Sequence, residues 1–256
     1  MKTIMILGDT GLVGRHLVTE FGNDFEIVGL SRSQDLYDYK HIAFDLEKES
    51  ILPVLERHQP DYFISCTRGS FEHQLMCHQE IVNYGKVHQM MLYYYSTVNV
   101  FDADSSEIKV ESSTLNAKSE YGIFKVSCEE IIESFDKGHI IRLPMVLAKD
   151  SPRMDQIRNA HLEKVTVYDV LYLSLILTTQ IAILQREVIE KELSGIFHFA
   201  TVDIIKQRDL YESLVKNKEH LDIQSLEEYY FAIVPTRKDI DAIFYIKDIM
   251  SELMDD

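Results

Sequence analysis

Tyr121 and Lys125 stand one helical turn apart in the segment SEYGIFKVSCEEIIESF, residues 119–135. Phe124, Cys128, Ile131 and Phe135 recur there at helical spacing and form an apolar stripe. The phenol and the ammonium share another face. From this helix alone, a solvated surface pair is the plainer reading. A chemical reading needs a third group, and YYYSTVNVFD (93–102) offers Ser96 and Thr97 at the end of an apolar run. Reduction of a carbonyl by hydride needs a proton donor for the nascent alkoxide. Tyrosine titrates near pH ~10. A neighbouring ammonium and a nicotinamide would favour the phenolate and bring that value towards working pH. The lysine can also hold ribose hydroxyls. A Ser/Thr hydroxyl then fixes the substrate carbonyl oxygen between itself and the tyrosine.

The second constellation is ILGDTGLVGRHL, which places Gly8, Gly11 and Gly14 between an apolar run and a helical pattern. That G-x-x-G-x-x-G spacing suits a tight turn, close backbone approach to a pyrophosphate and tight helix–strand packing. The helix N-terminus then offers N–H groups and a positive dipole end to the phosphates. The next run ends in Ser31, Arg32 and Ser33, with no carboxylate to bond a ribose 2′-hydroxyl. A guanidinium flanked by hydroxyls suits a 2′-phosphate, so the expected cofactor is NADP(H) rather than NAD(H). The plain alternative for Arg32 is a solvated loop arginine. Asp45, ending the FDL run, is placed either to accept from the adenine amino group or to cap the following turn.

These groups need a scaffold. Short apolar runs at 3–8, 25–32, 41–46, 61–67, 90–101 and 138–147 read as strands, and helical patterns fill 14–22, 51–59, 71–90 and 119–135. Strands separated by helix-length segments argue a parallel sheet covered on both faces. The fold expected is therefore a Rossmann-type doubly wound α/β sheet over 1–147. Residues 148–256 read as a small, mainly helical substrate lobe that completes the same globular unit, with one further strand at 195–200 and an edge strand at 227–234. The apolar segment Val170–Gln185 is short and interrupted by Ser174, Thr178, Thr179 and Gln180, so it reads as a buried helix rather than a membrane span. Tyr93, Tyr94 and Tyr95 read as packing residues of a buried strand.

A chain of 256 residues with a net charge of −16 lacks the electrostatic footprint of a nucleic-acid binder. Three scattered cysteines fit a reducing cytoplasm rather than a disulfide framework. The start, MKTIMILGDTG, lacks the features of a signal peptide. His73, Cys77 and His78 lie close together, but no second cluster supplies further ligands at a recognisable spacing, so no metal is expected.

Taken in order, GDTGLVG, LSRS, FDL, STVNVF, YGIFKVSCEE, IIRLPMVL and GIFHFA resemble the extended short-chain dehydrogenase/reductase family across residues 1–200. STVNVFD and GIFHFA are most similar to its dTDP-4-dehydrorhamnose reductase branch. The resemblance implies Thr97, Tyr121 and Lys125 as the catalytic set, with Ser96 beside them. The cofactor set it implies is Gly8, Thr10, Gly11, Leu12, Val13, Gly14, Ser31, Arg32, Asp45, Leu46, Cys66 and Thr67, with Tyr121 and Lys125. It further implies reduction of a keto group on a nucleotide-activated sugar, and pairing of two copies through the helices at 71–90 and 120–135. Asp9 departs from the pattern, because a carboxylate near a pyrophosphate is unhelpful unless it points away. Arg68 stands where small residues are favoured, either holding a substrate anion or covering a loop. Arg153 and Arg158 are candidates for a diphosphate or for a solvated loop. Two rival readings follow: a cofactor-binding regulatory or scaffold protein on the same fold, and an epimerase or dehydratase, for which Val98 and Asn99 offer no additional acid or base.

Overall fold

A computed structural model describes residues 1–159, 165–215, 218–225 and 227–254 of the chain. Its first strands are β1 (Thr3–Leu7), β2 (Glu26–Ser31), β3 (Lys40–Ala43), β4 (Tyr62–Ser65), β5 (Met91–Thr97) and β6 (Gly138–Leu143). Short strands follow at β7 (Met145–Leu147), β8 (Val165–Tyr168), β9 (Leu171–Leu173), β10 (Leu175–Leu177), β11 (Ile196–His198), β12 (Ile205–Lys206), β13 (Leu221–Gln224) and β14 (Tyr229–Phe231). The helices are α1 (Gly14–Phe21), α2 (Leu52–His58), α3 (Phe71–His88), α4 (Glu120–Glu133), α5 (Pro152–Arg158), α6 (Thr178–Glu190), α7 (Gln207–Leu214) and α8 (Ile246–Met254).

The main sheet runs β11-β6-β5-β4-β1-β2-β3, and every pairing within it is parallel. Its strands are continuous apolar runs because both faces are covered. On one face Leu55, Ile81, Cys128 and Ile132 from α2, α3 and α4 pack on Met5, Val28, Phe63 and Tyr94. On the other, Leu17 and Phe21 of α1 and Ile181 and Val188 of α6 pack on Ile4, Ile6, Tyr93 and Tyr95. Alternation along β5 therefore sends its three buried tyrosines to opposite faces. Strand order reverses at β1, whose neighbours are β4 and β2, and such a switch point opens a crevice beyond the strands' carboxyl ends.

Several elements differ from the sequence expectation. The run 90–101 stops as a strand at Thr97, because the Thr97 hydroxyl accepts the Asn99 N–H at 3.3 Å and caps a 3-10 turn over Val98–Phe101. The run 138–147 splits at Pro144, which has no N–H to give the ladder. Beyond the break, β7 leaves the main sheet and pairs with β10. Val170–Gln185 is not one helix: β9 and β10 occupy its first half and α6 begins at Thr178. There Leu173, Leu175 and Leu177 enter a third core with Leu147, Ile157, Leu210 and Ile249. The segment after residue 148 is thus mixed, with short strands among its helices. The expected strand at 227–234 is β14, at the edge of a three-stranded sheet with β9 and β12. No helix among the described residues is long and apolar enough to cross a membrane.

Candidate active site

The glycine turn leaves β1 at the switch point. Gly8 has φ +94°, and a Cβ there would meet the Cys66 carbonyl oxygen at 2.9 Å, so both conformation and proximity to β4 demand glycine. A Cβ on Gly14 would lie 2.1 Å from the Gly8 carbonyl oxygen, which lets α1 start tightly against the turn. No side chain caps the N-terminus of α1. Asp9 is fully buried and turned away from the crevice: its Oδ2 accepts the Tyr39 hydroxyl at 2.7 Å and lies 2.6 Å from His41 Nδ1.

A cleft of about 1200 Å³ runs along the carboxyl ends of the strands. At one end Thr10 donates to the Ser31 hydroxyl at 3.0 Å, and Arg32 and Ser33 line the wall. Asp45 and Leu46 line it too. The Asp45 carboxylate caps its own turn, accepting the Glu47 N–H at 3.1 Å and pairing with Lys48 at 2.9 Å. That ammonium holds its carboxyl below the usual range. Gly8, Gly11, Leu12, Val13, Cys66 and Thr67 form the middle of the cleft. Gly14, expected with the cofactor set, sits behind the turn as a packing residue and does not line it.

Thr97, Tyr121 and Lys125 meet at the other end. Ser119 caps α4, its hydroxyl accepting the Gly122 N–H at 3.0 Å, while Asp102 accepts the Lys118 N–H at 2.6 Å. These bonds put Tyr121 in the first turn at the cleft, with the residue 41% exposed. Thr97 donates to Asn99 Oδ1 at 2.9 Å. Lys125 is buried, donates to the Tyr95 carbonyl oxygen at 2.9 Å and stands 4.6 Å above the Tyr94 ring. Burial, with Arg68 adding in the same direction, brings the Lys125 ammonium down to about 8. Burial also raises the Tyr121 phenol, against the opposing Arg68 charge and hydrogen bonding from Thr97. The expected lowering by Lys125 is not what this geometry does, since Nζ is 5.9 Å from the Tyr121 ring centre and is aimed at Tyr95.

Ser96 lines the same cleft, but its hydroxyl is engaged elsewhere. Its buried hydroxyl donates to Glu129 on α4, which pairs with Arg142 of β6 at 2.8 Å. Arg68 and Arg153 line the cleft; Arg158 does not, and it donates to the Lys149 carbonyl oxygen at 2.9 Å. Asn99, Arg15 and Phe231 are cleft residues that sequence reasoning missed. Arg15 pairs with Asp150 at 2.7 Å, joining α1 to the loop before α5. The Thr-x-Asn spacing of a hydroxyl-capped turn was the available signal for Asn99. His78 is in the core between Ser65 at 2.8 Å and the Gln74 carbonyl oxygen at 2.6 Å, and His73 lies 2.8 Å from the Ser70 hydroxyl. No group of three or more acidic, histidine or cysteine residues among the described residues could hold a metal ion.

The profile of the family described as "RmlD substrate binding domain" matches residues 1–229. A search of curated protein sequences finds no match. Among solved structures, dTDP-4-dehydrorhamnose reductase from Bacillus anthracis str. Ames in complex with NADP is similar at TM-score 0.79 and 15% identity, covering 99% of this chain and 98% of that one. The dTDP-4-dehydrorhamnose reductase of Clostridium acetobutylicum ATCC 824 aligns at TM-score 0.77 and 16% identity, over 98% of both chains. The Bordetella bronchiseptica enzyme WbmG in complex with NAD and UDP aligns at TM-score 0.83 and 11% identity, over 98% of this chain and 92% of that one.

Proposed function

The chain belongs to the RmlD substrate-binding-domain family, and on that premise we propose that it is an NADP(H)-dependent reductase of a keto group on a nucleotide-activated sugar. One observation carries the reading: the glycine turn and the Thr97–Tyr121–Lys125 group line a single cleft. The turn fits a dinucleotide because its glycines leave a cradle that a Cβ at Gly8 would fill. The relatives solved with NADP, and with NAD and UDP, support the cofactor and substrate classes. Arg32, with Ser31 beside it, would take the 2′-phosphate.

The bound dinucleotide would supply the hydride to the carbonyl carbon. Tyr121, kept protonated by burial, gives its phenolic proton to the carbonyl oxygen as the ketone becomes an alcohol. Thr97 would hold that oxygen beside the phenol by turning its hydroxyl proton from Asn99 Oδ1, which accepts it here, to the carbonyl. Lys125 brings a cation, hydrogen-bonded to the Tyr95 carbonyl oxygen, beneath the site and suits ribose hydroxyls. Arg68 and Arg153, further along the wall, suit the diphosphate of the substrate. The same reading includes pairing of two copies across α3 and α4, supported by exposed Met76, Val87 and Ile123.

The test is NADPH oxidation against a panel of nucleotide-linked keto sugars, in wild type and Tyr121→Phe. Wild type turns over at least one of them. Tyr121→Phe loses at least ~100-fold in kcat, the scale of a lost general acid, and keeps NADPH affinity within a few-fold. Undiminished turnover in the variant removes the phenol from the chemistry. A wild type that binds NADPH but oxidises it with no substrate favours the scaffold reading.

A further inference from the structure

Asp9 sits in the one turn where a carboxylate would oppose a pyrophosphate, and the fold takes trouble to bury it. Its Oδ2 accepts the Tyr39 hydroxyl and lies 2.6 Å from His41 Nδ1, while its Oδ1 has no hydrogen-bond partner among the described residues. The other ring nitrogen, His41 Nε2, lies 3.2 Å from the Ser33 carbonyl oxygen. Both nitrogens of His41 thus face oxygens, and the ring spans from the glycine turn to the loop after β2. Space for this pair is cut out of β2. A Cβ on Gly29 would stand 2.1 Å from Asp9 Oδ2 and 2.6 Å from the Tyr39 ring.

Ser33 follows Arg32 directly, and its surroundings converge on the same imidazole. Tyr37 donates to the Ser33 hydroxyl at 2.8 Å, and its ring packs 4.5 Å from that of His41. Ser31, which receives the Thr10 hydroxyl, lies 3.4 Å from the Ser33 N–H. Glycine turn, β3 and the loop after β2 therefore meet at His41.

We propose that Asp9 and His41 form a cofactor-positioning pair, which clamps the Ser31–Ser33 loop to the glycine turn and so sets the preference for a 2′-phosphorylated dinucleotide. The proposal rests on the NADP(H) reading above and names the residues that enforce it. Arg32 itself is exposed. A loop held in place before binding spares the ordering entropy that a loose one must lose. On this reading the 2′-phosphate is the group of the dinucleotide that the loop would hold through Arg32. The pyrophosphate and nicotinamide ends would meet the rest of the cleft and are common to both cofactors.

The experiment titrates NADPH and NADH into the full-length wild type, His41→Gln and Asp9→Asn, and measures KM and kcat with each cofactor. Glutamine brings no charge and cannot span both acceptors. His41→Gln should weaken NADPH by about tenfold, the scale of one charge-assisted hydrogen bond. NADH affinity and kcat at saturating NADPH should stay within about twofold. Asp9→Asn keeps the shape and the Tyr39 contact, and should lose roughly threefold for NADPH alone, because a weakened bond to His41 remains. It decides the question if His41→Gln does not fold. Equal losses for both cofactors, or an unchanged NADPH/NADH ratio in folded variants, overturn the clamp and leave the NADP(H) reading intact. A wild type that prefers NADH overturns both.

Discussion

Two carboxylates, Asp9 behind the glycine turn and Glu129 on α4 behind the Thr97–Tyr121–Lys125 group, are fully buried and satisfied in different ways. Glu129 receives Arg142 through Nε at 3.1 Å and Nη2 at 2.8 Å, and the Ser96 hydroxyl as well. Arg142 continues through Nη1 to the Glu111 carbonyl oxygen at 3.2 Å, and the Glu111 carboxylate accepts the Thr236 N–H at 3.0 Å. One connected network thus ties α4, β5 and β6 to the C-terminal region. Asp9 has only Tyr39 and His41, both on the same oxygen, and both near an exposed loop. A fully satisfied buried network holds one geometry firmly, whereas a partly satisfied one is easier to perturb. On the proposed reading, the reaction end is built for rigidity and the cofactor end for selectivity.

The comparison is broken most directly at Arg142. Arg142→Leu leaves Glu129 buried with Ser96 as its one remaining side-chain partner, and stranding a buried charge in this way costs about 3–5 kcal/mol. His41→Gln leaves Asp9 with Tyr39 and a polar neighbour at the edge of the fold, for a loss of ~1–2 kcal/mol. Urea unfolding of both variants checks the order. If His41→Gln proves the more destabilising, the cofactor end is the rigid one and the comparison is inverted.

Lys125 sharpens the same contrast, because it is a buried charge whose hydrogen bond goes to the Tyr95 carbonyl oxygen and whose nearby Glu129 only partly offsets its burial. Its ammonium is brought down to about 8 by burial. The unfolded chain, with an ordinary lysine near ~10.4, therefore holds more protons than the folded one between those values, and stability rises with pH through that window. Lys125→Met should abolish turnover, raise stability at about pH 7 by ~2–3 kcal/mol, and flatten the rise towards about pH 10. Urea melts at both pH values read this directly. A destabilised variant would mean that the bond to Tyr95 and the Tyr94 ring outweigh the desolvation of the charge.

How far this was legible in the sequence follows from the range of each interaction. The main sheet was readable because parallel strands covered on both faces are written as unbroken apolar runs, such as TIMIL and YFIS. The Tyr121–Lys125 pair and the Gly8–Gly11 turn were readable because their partners are a few residues away. The short strands β7, β9 and β10 were not, since each owes its existence to a partner some 20–60 residues distant and to Pro144. Asp9 looked like a defect in the turn until Gly29 and His41, well down the chain, were seen to make room for it and to meet it. Ser96 and Thr97 looked interchangeable and both line the cleft, but strand alternation turns the Ser96 hydroxyl to Glu129 on α4 while that of Thr97 bonds Asn99.

That last separation gives the smallest effect and the closest test of the reaction end. Ser96→Ala removes one neutral donor from Glu129 while all the Arg142 contacts stay in place, so the loss of stability should be about 1 kcal/mol. Because the hydroxyl is committed to Glu129, kcat should hold within about twofold, whereas Thr97→Val should lower it by at least ~10-fold. Steady-state kinetics beside a urea melt distinguishes the two positions. If Ser96→Ala loses turnover while its stability is kept, then the serine leaves Glu129 during reaction. In that event the network at this end moves with the chemistry, and its rigidity cannot be what sets it apart from the Asp9 clamp.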